Sequence, residues 1–147
     1  MKKIILNQKS YMTIDEMEEY KKKFDKLITK NFEFVILPPV LYLTMFKDEK
    51  YKVGTQNFFS YNAGSFTGEI ALEQLKKIGV NYTLIGHYER RKIIGELYST
   101  SKEKLFKSLN SKFHTILCVG EQKRTKKPFS YIKKELNYYL RNIESSN

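Results

Sequence analysis

The chain has 147 residues, 41% of them apolar, which is enough to bury one real core. Its 27 Lys and Arg outweigh 16 Asp and Glu for a net charge of +11, a balance that attracts phosphate esters, nucleic acid or acidic membrane, and that solvated lysine-rich helix faces also produce. A single cysteine excludes an internal disulfide and fits a reducing compartment. No run approaches the roughly 18 apolar residues of a bilayer span, and "MKKIILNQK" is too polar for a signal peptide, so a soluble cytoplasmic protein is expected.

Strand-like and helix-like runs alternate along the chain. "KIILN" (3–7) is short and β-branched, and "TIDEMEEYKKKFDKLI" (13–28) follows with Thr13 and Glu16 spaced as a capping box. Ile14, Met17, Phe24, Leu27 and Ile28 recur there at helical spacing. "FEFVILPP" (32–39) is a strand that its prolines stop, and "VLYLTMF" (40–46) a short helix. "YKVGTQN" (51–57) is the third strand. A polar loop, "FFSYNAGSFTGE", leads from it into the helix "IALEQLKKIG", which Gly79 closes. "YTLIG" (82–86) is the fourth strand, and 99–110 a helix expected to be capped by its Ser/Thr cluster. "HTILCVGE" (114–121) is the fifth strand, followed by the basic loop "QKRTKKP" and a last helix over 130–143.

Five successive βα units with no Pro/Gly/Ser linker predict one α/β domain, residues 1–147, with a parallel sheet covered by helices. Doubly wound sheets and (β/α)8 barrels share this grammar, and both carry function at the carboxyl ends of strands. The conspicuous polar residues fall there: Asn7 and Lys9, Gln56 and Asn57, His87 and Glu89, and Glu121. His114 and Cys118 lack such context and are expected to be structural.

Four stretches together resemble the triosephosphate isomerase family: "NQK" after the first strand, "TQNFFSYNAGSFTGE" after the third, "LIGHYERRKIIGE" after the fourth, and "ILCVGE" on the fifth. The resemblance implies a TIM-barrel-type fold, of which about five of eight units are visible, and the interconversion of dihydroxyacetone phosphate and glyceraldehyde 3-phosphate in glycolysis and gluconeogenesis. It implies no cofactor, no metal and no nucleic-acid or membrane partner. Lys9 would be the ammonium facing a dianionic substrate and a negatively charged enediolate, with Asn7 holding both lysine and substrate. His87 would be the catalytic electrophile, a neutral imidazole tuned by the N-terminus of a following helical turn. Glu89 would orient Lys9, Arg90 and Glu96 would pair, and Glu121 would support the site. Gln56, Phe66 and Thr67 would lie at a homodimer interface, the loop around Thr67 entering the neighbouring subunit.

Gln8 and Tyr88 depart from the family pattern, which has a bulky aromatic and a small serine there. The family's general base, lid and phosphate loops belong to units after the fifth, in a fold of roughly 250 residues. No carboxylate in this chain takes the base's place: Glu89 and Glu121 match supporting positions. The chain alone is therefore expected to be inactive unless complemented by a C-terminal barrel fragment or a second copy. The alternative is a non-catalytic half-barrel that binds phosphate or serves as a scaffold.

Overall fold

The computed structural model describes residues 2–47 and 50–143. Chain order is β1 (Lys2–Asn7), α1 (Ile14–Leu27), β2 (Phe32–Leu37), a 3₁₀ helix (Val40–Phe46), β3 (Lys52–Thr55), α2 (Leu72–Lys77), β4 (Tyr82–Ile85), α3 (Tyr88–Lys92), α4 (Tyr98–Asn110), β5 (His114–Leu117) and α5 (Pro128–Leu140). The strand order is β1-β2-β3-β4-β5, and β1 through β4 pair in parallel. This is an α/β fold of the TIM-barrel type, represented by five βα units. Glu144–Asn147, in the stretch where a sixth strand would be sought, lie outside the described residues. Among the described residues no helix is long and apolar enough to cross a membrane. The chain divides into two compact units, Met1–Thr83 and Leu84–Asn147.

In the first unit, α1 starts where the sequence says it should. The Glu16 carboxylate accepts from the Thr13 backbone N–H at 2.8 Å and from its hydroxyl at 2.9 Å, satisfying a donor the helix leaves open. Met17 and Phe24 of α1 pack with Phe34 and Ile36 of β2, Phe46 and Tyr51 to form the core. The expected apolar stripe is too wide. Ile14 and Leu27 are exposed, because the face centred on Met17, Phe24 and Ile28 leaves them at its edges and at the helix ends. β2 is buried from Phe34 to Leu37, whereas Ile5 of β1 is 42% exposed.

In the second unit, α4 begins at Tyr98 with Leu97 before it and no side-chain cap, so the expected Ser/Thr cap is not formed. Ser101 lies inside the helix and donates its hydroxyl to Glu96 at 2.8 Å instead. β5 is shorter than its apolar run, ending at Leu117. Cys118 is half-buried rather than a core residue, and its N–H donates to the Ile85 carbonyl at 2.8 Å. Burial pushes its thiol up, outweighing the opposing effect of Arg91. Gly86, between β4 and His87, has φ +69°, where a side chain is strained. A Cβ there would also stand 3.1 Å from the Cys118 carbonyl.

Candidate functional site

Lys9 follows β1 with φ 54°, in the left-handed region that costs a non-glycine residue about 1–3 kcal/mol. Its backbone is held from two sides. The Asn7 carboxamide oxygen accepts the Lys9 N–H at 3.1 Å, an Asx-type turn. Gln56 Nε2, arriving after β3, donates to the Lys9 carbonyl and to the Leu37 carbonyl, both at 2.9 Å. Gln56 thus ties the ends of β1 and β2 together, a role that sequence reasoning missed. Gln8 turns elsewhere: its backbone N–H bonds the Leu37 carbonyl at 3.1 Å and its side chain donates to Tyr20 of α1 at 2.8 Å. The segment 61–69 is exposed, with Phe66 packed on Phe59 and Tyr61 at ring separations of 4.8 and 5.7 Å. Thr67 belongs to that exposed segment.

His87 occupies the N-cap of α3, and its Nδ1 accepts the Glu89 N–H at 3.4 Å. A neutral imidazole has one N–H and one bare nitrogen. A neutral ring whose Nδ1 accepts carries its proton on Nε2, where it can donate to a carbonyl oxygen. Glu89 Oε2 lies 3.5 Å from Nδ1. Tyr88 is 42% exposed, its ring 5.7 Å from the Lys92 ammonium.

Beside His87 lies a set of charged side chains, all but Arg90 buried. Arg90 Nε donates to Glu96 Oε2 at 2.6 Å, and the nearly buried Lys104 ammonium donates to the same oxygen at 2.6 Å. Burial alone would raise the Glu96 pKa; Lys104 and Arg90 outweigh it and hold the carboxyl below its ordinary value. Arg91 points the other way and pairs with Glu135 of α5, both side chains at least 94% buried, at 2% and 6% exposure. Arg91 also donates to the Tyr98 hydroxyl at 2.9 Å and the Gly120 carbonyl at 3.2 Å. Glu135 accepts the Tyr98 O–H at 2.6 Å and the Gly120 N–H at 2.6 Å. Burial and Glu135 together push the Tyr98 phenol well above its ordinary value, so it stays a donor. Glu121, the residue after Gly120, is half-buried, and its Oε2 has no hydrogen-bond partner among the described residues.

Successive βα units with parallel strands make this an α/β protein of the TIM-barrel class, with Lys9 following β1 and His87 following β4. The triosephosphate isomerase family model matches residues 2–147, and the chain belongs to that isomerase family. It is 46% identical over 94 residues to triosephosphate isomerase of Lawsonia intracellularis, covering 60% of this chain and 37% of the relative. It is 38% identical over 126 residues to that of Alkaliphilus metalliredigens, covering 81% and 51%, and 34% identical over 150 aligned residues to that of Aquifex aeolicus, covering 96% and 61%. The chain therefore spans between about a third and three fifths of the length of these relatives.

Proposed function

We propose that these residues supply the cation and the electrophile of a triosephosphate isomerase site, acting in glycolysis and gluconeogenesis as part of one incomplete barrel domain. The observation that carries this reading is the mounting of His87, which follows the end of β4 at the N-cap of α3 with Nδ1 turned toward the Glu89 N–H. An Nε2–H donor polarises the substrate carbonyl, so the neighbouring C–H becomes acidic enough for a base to remove its proton. Lys9 neutralises part of the charge of the phosphate and the enediolate, and Asn7 fixes the turn that presents it. The resulting proton transfer between adjacent carbons needs a base; among the described residues the carboxylate beside His87 is that of Glu89, which lies 3.5 Å from Nδ1. Glu121 and Glu89 support the site rather than act as that base.

In this reading the chain by itself does not turn over triose phosphate, and a C-terminal barrel fragment or a second copy completes it. The exposed segment with Phe66 and Thr67 is the contact to a like subunit in a homodimer. The exposure of Ile5 on β1 supports a partner that covers that strand. The test is an isomerase assay with glyceraldehyde 3-phosphate, on the chain alone and mixed with a polypeptide carrying the sixth to eighth units of a relative. Activity only in the mixture, abolished by His87→Ala, supports the reading. A folded complex without activity leaves a scaffold, and activity of the chain alone removes the need for an outside base.

A further inference from the structure

Glu135 lies 48 residues beyond His87 in a different element, yet a short chain of contacts connects them. His87 is the first residue of the α3 turn, and the Arg91 N–H donates to the His87 carbonyl at 3.1 Å. Arg91 closes that turn, and its guanidinium is gripped by Glu135, Tyr98 and Gly120. The other Glu135 oxygen holds the Gly120 N–H, so both backbone polar groups of Gly120 are bound by the same ion pair. α3 is only five residues long and has one exposed flank, so its own hydrogen bonds are too few to fix it. The buried pair supplies the fixing that the helix lacks.

We propose that Glu135 is a positioning residue for His87: through Arg91 it sets the orientation of α3 and thereby of the imidazole, and through Gly120 it fixes the turn that carries Glu121. This rests on reading His87 as the electrophile, but the orientation itself is measurable without turnover. Removing Glu135 frees the far end of α3, and the Nδ1 contact to the Glu89 N–H, already long at 3.4 Å, is the first to loosen.

The chain's two histidines make the test direct, with His114 on β5 as internal reference. Long-range ¹H–¹⁵N spectra of the ¹⁵N-labelled full chain are recorded for wild type, Glu135→Ala, Glu135→Gln and Leu105→Ala. Leu105 is a buried α4 residue whose apolar side chain takes no part in the pair's hydrogen bonds, and its truncation lowers stability. In wild type the two His87 ring nitrogens should be well separated, one protonated and one bare. In Glu135→Ala they should converge toward averaged values while His114 stays in place, and Leu105→Ala should leave His87 unchanged. Glu135→Gln keeps the side-chain volume but has no charge for Arg91 and only one acceptor oxygen for Arg91, Tyr98 and Gly120, so it should shift His87 in the same direction even if the alanine variant fails to fold. Unchanged His87 signals in a folded Glu135 variant, or an equal shift in Leu105→Ala, would overturn the proposal. A completed wild-type barrel that shows the two separated His87 signals yet has no isomerase activity would instead count against the catalytic reading alone.

Discussion

The backbone of Lys9 in the first unit is fixed by carboxamides and by a strained φ, with Asn7 and Gln56 making ordinary neutral hydrogen bonds. Around His87 in the second unit the contacts are ionic: Arg91 with Glu135, both buried, and Glu96 with the buried Lys104 and the partly exposed Arg90. Neutral bonds to backbone contribute about 0.5–1.5 kcal/mol each and fail gently. Buried ion pairs contribute little net but fail hard, because deleting one partner leaves the other charged and dry. Lys9 and His87, the two side chains proposed to act on the substrate, should therefore differ sharply in how mutation reaches them.

The sharpest break is Arg91→Ala, which strands the Glu135 carboxylate and should lower stability by about 3–5 kcal/mol in urea unfolding. The double variant Arg91→Met, Glu135→Met should recover most of that loss, since neither charge is then left alone. Glu96→Gln comes next, at about 3 kcal/mol near neutral pH, because Lys104 is 5% exposed and loses its counter-ion. Its sign with pH is fixed by the lowered pKa of Glu96. A carboxylate depressed in the folded state lends stability that is full above its unfolded value and is lost as pH falls through the folded one. Wild type and Glu96→Gln should therefore converge as acid is added below about pH 4.5, which an acid-unfolding series reads directly.

Gln56→Ala should cost less, about 1–2 kcal/mol, because the Lys9 and Leu37 carbonyls lose the Gln56 donor while Leu37 keeps the Gln8 N–H. Lys9→Gly sharpens the contrast from the other side. Relief of the left-handed strain and the added flexibility of the unfolded chain nearly cancel, so stability should change by less than about 1 kcal/mol. A large loss in Lys9→Gly would mean that its side chain, rather than its backbone, organises the turn.

Much of this was legible in the sequence, for local reasons. Strand-to-helix alternation, the Thr13–Glu16 box and the placing of Lys9 and His87 after apolar runs all follow from patterns a few residues long. So does the glycine before His87, which stands where φ is +69°. What could not be read is long-range or competitive. Arg91 and Glu135 are 44 residues apart with no shared motif. Gln56 reads as an ordinary polar residue until β1 and β2 bring the Lys9 and Leu37 carbonyls to it. Ser101 could cap a helix, but Glu96 accepts its hydroxyl first.

The most direct test of the account is the isomerase rate of the completed barrel with three versions of this chain: wild type, Lys9→Met and His87→Gln. Both variants should assemble as wild type does and lose at least about 100-fold in kcat/KM, a transition-state loss of roughly 2.7 kcal/mol or more. A folded, assembled His87→Gln or Lys9→Met protein that keeps the wild-type rate would contradict it.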